Sequence, residues 1–282
     1  MGGGMATRLW PSTTGITKQL LPVYDKPMIY YGLSTVLRLG CTDIALVCNA
    51  RDWPAYQCTF EFLTSLGINI IPLIQDKPRG IAHAYVIARD WLAGEASYLV
   101  LGDNIFIADY STFITVTQTM PTIWTKTVAD PSRYGVVSYD HHHPVFTEKP
   151  RVWVSDQAIT GFYHFPGTAP EHALALHEST RGQLEITDLI ASWSETTIKP
   201  LNDLDIWTDA GTSDALVEAA VLVKAMQHQL GCPIGSPELA LVHSGYVSAA
   251  QLQTAVVDYM LRYGLTTGYY ADLKLWLDKF YR

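Results

Sequence analysis

Within the first hundred residues, short apolar runs alternate with stretches of helical periodicity, and that alternation is the strongest constraint on the fold. Residues 44–47, 68–74 and 98–101 read as buried strands. Between the last two, Ile81, Ala84, Tyr85, Ala88 and Leu92 recur at helical spacing, with Gly80 before them and Gly94 after. Residues 28–39 make a further helix, opened by Pro27 and closed by Gly40. Strand–helix–strand units connect parallel neighbours, so the expected class is α/β. Pro72 cannot donate to a ladder, which puts the second strand at an edge or a bulge.

The second half has a different texture. Residues 134–139 and 145–147 flank Asp140-His141-His142-His143-Pro144, which reads as a hairpin connection, and residues 158–165 form another strand. Leu216, Ala219, Val223, Met226 and Leu230 repeat at helical spacing before Gly231, a natural stop. Ser248 and Gln251 form a capping box ahead of Leu252, Val256 and Tyr259, and Gly264 ends that helix. From about residue 213 the chain is therefore a mostly helical appendage on an α/β body. No Pro/Ser-rich linker separates the two, which favours one compact unit with two lobes.

At 282 residues and 48% hydrophobic, the chain can bury a sizeable core. No apolar run approaches the roughly 18–20 residues of a membrane span, and the start carries no signal-peptide pattern, so a soluble cytoplasmic protein is expected. The net charge of −8 is wrong for a general nucleic-acid binder. Residues 1–38 run against it, with Arg8, Lys18, Lys26 and Arg38 opposed by Asp25 alone. A local cationic segment of this kind suits a small anionic ligand. Cys41, Cys48, Cys58 and Cys232 show neither C-x-x-C nor zinc spacing and read as buried thiols in a reducing compartment.

Four stretches carry candidate chemistry. Gly2-Gly3-Gly4 with Thr7 and Arg8 offers backbone N–H groups and a guanidinium to phosphate, although it matches neither common phosphate loop; a flexible Gly-rich terminus is the other reading. The apolar strand ending in Gly102-Asp103 puts a carboxylate at the carboxyl edge of a sheet, where α/β folds bind ligands, and Asp103 there holds Mg²⁺ or serves as a cap or turn residue. Asp209 stands under the same two readings. Glu148-Lys149 sets a hydroxyl acceptor beside a phosphate donor, or is a surface charge pair. Residues 181–188 form a polar run ahead of a helical pattern, partly explained by capping from Thr187 or Asp188. His141, His142 and His143 read as solvent-exposed turn residues rather than a metal tract.

Taken in order, these stretches are far more specific than any one of them. The Gly loop leads through Thr7-Arg8-Leu9 and Pro11 to Lys18-Gln19-Leu20-Leu21-Pro22 and Lys26-Pro27-Met28-Ile29-Tyr30-Tyr31. There follow Gln75, Gly80-Ile81-Ala82, Leu101-Gly102-Asp103-Asn104-Ile105-Phe106, and Asp130-Pro131 with Arg133-Tyr134-Gly135-Val136-Val137. The series closes with Glu148-Lys149-Pro150, Thr160-Gly161-Phe162-Tyr163, residues 181–188, residues 207–212, Cys232-Pro233 and Gly245-Tyr246-Val247. The chain resembles the sugar-nucleotidyltransferase family over nearly its whole length, and within it the short thymidylyltransferase branch.

The resemblance implies a Rossmann-like nucleotidyltransferase fold with a mixed central sheet, helices on both faces and a helical C-terminal appendage. It implies a nucleotide-binding part over about 1–110, a sugar-binding part over about 111–212, and the appendage over 213–282. The implied reaction joins glucose 1-phosphate and dTTP into dTDP-glucose and pyrophosphate with Mg²⁺, for deoxysugar synthesis. The sugar-phosphate oxygen attacks the α-phosphorus in line, which requires no covalent nucleophile. Gly3, Gly4, Thr7, Gln19 and Asp103 would meet the nucleotide, while Gln75 and Gly80 face its base. Arg8 and Lys18 would brace the phosphates and the departing pyrophosphate; Asp103 and Asp209 would hold Mg²⁺. Lys149 would contact the sugar phosphate, Glu148 the sugar hydroxyls, and Gly135, Thr160 and Gly161 would line the sugar site. A homo-oligomer, a tetramer by resemblance, would work without nucleic acid or membrane.

Some positions depart from the family. Ala6 replaces a glycine, Gln183 a glutamate, and His83 a glutamine beside the implied base site. Family members also begin with a short apolar strand ahead of the Gly loop, which is missing here. Losing about five buried apolar side chains forfeits on the order of 10 kcal/mol. The expectation is a start that is internal to the natural chain, or a truncated copy. Uridylyl or cytidylyl transfer, or a non-catalytic relic that binds nucleotide or sugar phosphate, stay open as alternatives.

Overall fold

The computed structural model describes residues 7–114 and 119–281. After a 3-10 turn at Thr7–Leu9 come the two-residue strands β1 (Pro22–Val23) and β2 (Lys26–Pro27), then α1 (Ile29–Arg38) and β3 (Asp43–Cys48). The chain continues through α2 (Trp53–Ser65), β4 (Asn69–Ile74), α3 (His83–Leu92), β5 (Ser97–Val100) and β6 (Asn104–Ile107). Next are β7 (Thr122–Thr127), β8 (Gly135–Asp140), β9 (His143–Glu148), β10 (Gln157–Phe165), α4 (Ala169–Ala175) and α5 (Ile186–Ala191). Then β11 (Thr197–Pro200) and β12 (Ile206–Asp209) precede four helices: α6 (Ser213–Leu230), α7 (Pro237–His243), α8 (Ala249–Tyr263) and α9 (Tyr269–Phe280).

The largest sheet is mixed: β10 pairs antiparallel with β5, β7 and β8, β9 pairs antiparallel with β8, and β11 pairs parallel with β7. Strands β3 and β4 make a separate parallel pair, and β6 pairs antiparallel with β12. Pro72 sits opposite Leu46 in an unbroken register, on a strand whose one partner among the described residues is β3, as its missing donor requires. Alternation along β5 shows which helix covers which face. Tyr98 and Val100 pack into the cluster that holds Val36 of α1, whereas Leu99 packs with Tyr85 and Ala88 of α3. Helices thus lie on both faces of the sheet, as expected.

Two of the terminal helices, α6 and α8, form where periodicity and caps placed them. Gly231 and Gly264 both adopt the left-handed conformation at helix ends, and the Ser248–Gln251 capping box is present in both directions. Two local readings need correction. The hairpin turn is tighter than five residues: His143 and Pro144 already lie in β9, and the turn is His141-His142, both at positive φ. Cys58 is exposed, so the four cysteines are not uniformly buried, although all are free thiols. Helix α2 was not visible as a stripe, because Tyr56, Phe60 and Leu63 face one cluster while Phe62 faces another. No helix among the described residues is long and apolar enough to cross a membrane.

Candidate active site

The chain leaves β5 through a turn at Gly102-Asp103 and enters β6 at Asn104, the residue register-paired with Asp209 at the end of β12. That pairing brings two carboxylates, more than a hundred positions apart in sequence, to one sheet corner. Each is met by a cation. Lys18 Nζ forms an ion pair with Asp103 Oδ2, and Arg133 Nη2 donates to Asp209 Oδ2 at 3.0 Å. Burial by itself would raise the Asp103 carboxyl, but the Lys18 charge and hydrogen bonds from Lys18 and Asn104 outweigh it and hold Asp103 below the usual range. Asp209 is pushed up, first by burial and then by the negative charge of Asp103, with Arg133 and Lys18 opposing.

Asn104 organises this corner. Its Nδ2 donates to Asp103 Oδ1 at 3.0 Å, while its Oδ1 accepts from Gly161 N at 3.0 Å and from Trp207 Nε1 at 2.6 Å. The approach is possible because residue 161 has no side chain: a Cβ there would lie 2.5 Å from the Asn104 amide. It coincides with a register shift of β10 against β7 between Ile159 and Tyr163. Within that shift the fully buried Thr160 hydroxyl has no hydrogen-bond partner among the described residues.

A second charged cluster lies at the end of β9. Glu148 Oε1 accepts from Arg181 Nη2 at 3.1 Å and lies 3.4 Å from Lys149 Nζ, and its Oε2 accepts from Thr187 Oγ1 at 3.4 Å. Arg181 also reaches Glu185 at 2.7 Å. Thr187 and Asp188 lie inside α5, which Glu185 precedes, so neither is the cap expected from sequence. A Cβ on Gly135 would come within 2.8 Å of Thr187 and 3.3 Å of Glu148, so the glycine admits this packing. Lys149 holds φ at 44°, an unfavourable value for a residue with a Cβ. The clusters adjoin through β8 and β10. Lys149 N donates to Tyr134 O at 3.0 Å, and the negative charges of Glu148 and Asp103 add to the burial that raises the Tyr163 hydroxyl.

Gln75 is 3% exposed, and its Nε2 donates to His83 Nδ1 at 2.9 Å. Gly80, at φ 96°, is pressed against the backbone of Leu184, whose O would lie 2.2 Å from a Cβ. Two backbone bonds stitch the same loops together, Leu184 N to Arg79 O at 2.8 Å and Ala82 N to Leu184 O at 3.2 Å. The structure therefore joins the Gln75–His83 region to the 181–188 run. Gln19 is buried and accepts from Thr17 Oγ1 at 2.7 Å. Thr7 and Arg8 are exposed, and Arg8 makes no ion pair with the described residues. Gly3, Gly4 and Ala6 lie outside the described residues.

Arg133, Asn104, Arg181, Glu185 and Trp207 received no role from sequence. Each falls inside a quoted motif, yet the motif's order says nothing about which partner it meets.

Among the described residues no group of three or more His, Cys, Asp or Glu side chains gathers around a point. Asp103 and Asp209 nevertheless fit Mg²⁺, which takes one or two protein carboxylates and fills its other positions with substrate phosphate and water. Carboxylates set against cations at the carboxyl end of a sheet strand make a site for phosphate and its counter-ion.

The chain belongs to the nucleotidyl transferase family, whose model matches residues 1–225. Among its relatives is the glucose-1-phosphate thymidylyltransferase of Xanthomonas campestris pv. campestris, 39% identical over 262 residues, covering 90% of this chain and 89% of the relative. The Mycobacterium tuberculosis enzyme of the same name is 36% identical over 260 residues, covering 89% and 90%. A solved structure of a Bacillus anthracis protein assigned as a glucose-1-phosphate thymidylyltransferase, in complex with sucrose, superposes with a TM-score of 0.71. It is 30% identical and covers 78% of this chain and 92% of that one. UDP-glucose pyrophosphorylase, at 20% identity and a TM-score of 0.69, shares the fold.

Proposed function

We propose that this nucleotidyl transferase moves a thymidylyl group from dTTP to glucose 1-phosphate, giving dTDP-glucose and pyrophosphate. The observation that carries the reading is the pairing of Lys18 with Asp103 and of Arg133 with Asp209 at one sheet corner, in a chain 39% identical to a thymidylyltransferase. In this reading Asp103 and Asp209 hold Mg²⁺, which when bound neutralises phosphate charge. Lys18 then lies beside the triphosphate and Arg8 faces it from the exposed turn. Two unit charges 4 Å apart repel by about 4 kcal/mol at an effective dielectric of 20, so a protein of net −8 must counter that repulsion locally. These cations stabilise the charge that collects on departing pyrophosphate.

The acceptor sugar sits over Gly135, with Glu148 accepting from its hydroxyls and Lys149 on its phosphate. Arg181 and Thr187 fix Glu148 in place, and Thr160 and Gly161 line the floor beside Asn104. Gln75 and His83 face the base across the Gly80 loop. Holding both substrates in line is the larger part of the task, since no covalent intermediate is needed. Residues 1–212 form the catalytic part, with the nucleotide portion to about 110 and the sugar portion over 111–212; residues 213–282 are its helical appendage. Val217 and Val221, one turn apart on α6 and 63% and 62% exposed, support assembly with further copies of the chain.

Pyrophosphate release, measured with dTTP, UTP and CTP against several sugar 1-phosphates, tests the reading. The expected result is highest kcat/KM for dTTP with glucose 1-phosphate, and a fall in kcat of about 100-fold or more in Lys18→Met. Release with no pair, or an unaltered kcat in Lys18→Met, refutes it; preference for UTP or CTP moves the chain to another branch.

A further inference from the structure

Among the described residues Lys26 is the one buried lysine or arginine, its side chain wholly out of solvent. All three of its donors are engaged: Nζ donates to Asp25 Oδ1, to Gln227 Oε1 at 3.0 Å and to Tyr31 Oη at 3.3 Å. The same ammonium lies 4.8 Å from the ring centroid of Tyr31 and 5.3 Å from that of Tyr269. Its partners thus come from the β1–β2 turn, α1, α6 and α9. Gln227 closes the clamp from the appendage, since its Nε2 donates to Asp25 Oδ2 at 3.0 Å and its Oε1 also accepts from Ile234 N at 3.0 Å. A buried charge seldom adds stability over an apolar side chain of the same volume. What its directed hydrogen bonds add here is one fixed placement of the hairpin against the appendage.

The hairpin leads straight to the site. Leu21 N donates to Lys18 O at 3.0 Å, and Leu21 O accepts from Met28 N at 2.9 Å. One residue therefore ties the turn that carries Lys18 to the far end of the hairpin. Val23 stands opposite Lys26, and its O accepts from Tyr31 Oη at 2.7 Å, the hydroxyl that also meets Lys26 Nζ. We propose that Lys26 is a positioning residue for Lys18: the appendage grips the hairpin through Lys26, and the gripped hairpin holds Lys18 Nζ on Asp103. The inference rests on the reading that Lys18 lies beside the triphosphate. It gives residues 213–282 a part in the reaction that none of their own side chains touches. Releasing Lys26 leaves Lys18 in the chain but shifts it from its partner, and small displacements of an aligned group are costly in rate.

The test is a double-mutant cycle on the full chain with Lys26→Met and Lys18→Met, read by pyrophosphate release. Lys26→Met should lower kcat about tenfold or more with the KM for glucose 1-phosphate within about twofold, and should cost less than about twofold once Lys18 is already Met. A second readout needs no turnover: the rate at which acetic anhydride acylates Lys18, followed by mass spectrometry against exposed Lys77. That ratio should rise about threefold or more in Lys26→Met, because Lys18 is freed from Asp103. Gln227→Leu, which removes only the α6 partner, should move both readouts the same way by a smaller factor, and it carries the test if Lys26→Met does not fold. Val256→Ala, in the apolar core of the appendage away from Lys26, should lower Tm and leave both readouts unchanged. Additive losses in the cycle, an unaltered Lys18 acylation ratio, or equal effects from Val256→Ala overturn the inference. Absence of pyrophosphate release from the wild-type chain refutes the proposed reaction instead, and the acylation ratio then decides the Lys26–Lys18 link by itself.

Discussion

Arg133 Nη2 donates to Asp209 Oδ2 at 3.0 Å, tying the turn ahead of β8 to the end of β12. Asp209 is already raised by burial and by Asp103, so Arg133 supplies part of what keeps it ionised. Arg133→Met should lower kcat by about 10- to 100-fold, the worth of a hydrogen bond to a charged group, and raise the Mg²⁺ concentration for half-maximal activity. Steady-state kinetics across a Mg²⁺ titration checks this; an unaltered kcat removes Arg133 from the site.

Gly161→Ala would put a Cβ 2.5 Å from the Asn104 amide, and that amide is pinned by Gly161, Trp207 and Asp103. Asn104 must shift and take Asp103 with it. The expected cost is about 1–3 kcal/mol of stability from overpacking, with a fall in kcat of tenfold or more even where the protein is fully folded. Urea denaturation and kinetics on the same sample separate the two effects. Wild-type kcat in a folded variant would contradict the positioning role of Asn104.

Two glycines with positive φ give a paired comparison. At Gly80 (φ 96°) a Cβ meets the Leu184 backbone at 2.2 Å, whereas at Gly182 (φ 68°) nothing lies within 4 Å. Gly182→Ala should cost about 1 kcal/mol, the conformational term alone. Gly80→Ala adds the clash and should cost at least about 2 kcal/mol more. Equal losses by chemical denaturation would mean that the Gly80–Leu184 approach is not required.

His83 is held below its ordinary 6.5, first by burial and then by the charge of Arg79, against the opposing charge of Glu178. It is therefore neutral at pH 7, with Nδ1 free to accept from Gln75. Because its folded pKa is depressed, the arrangement persists above 6.5 and is lost as pH falls through the lower folded value. The KM for dTTP should be flat above pH 6.5 and rise several-fold toward pH 5, and His83→Gln, which cannot titrate, should flatten that rise. An identical pH profile in the variant would detach His83 from the base.

Much of the site was visible as motifs, but its pairings were not. Asp103 could be read as a carboxylate at a strand end, since an apolar run stopped by Gly-Asp is a local pattern, whereas Asp209 stood out only as a possible second carboxylate. That Asn104 faces Asp209 is a matter of antiparallel register, which no spacing within either segment encodes. Arg181 and Glu148 belong to different elements and meet through folding alone. Thr187 resembled a cap because Ser, Thr and Asp commonly begin helices; its hydroxyl instead reaches Glu148, a partner 39 residues away.

What the sequence determined by itself is what depends on neighbours along the chain. Helix periods, the Ser248–Gln251 box, the glycine stops and the succession of motifs are set by contacts within a few residues, and they place the chain in its family. The tertiary structure decided which strand edges adjoin, which carboxylates share a cation and how closely Gly80 and Gly161 are approached. The physical reason is that sheet pairing and close packing join residues distant in sequence, and such contacts are selected by the whole core rather than by any local segment.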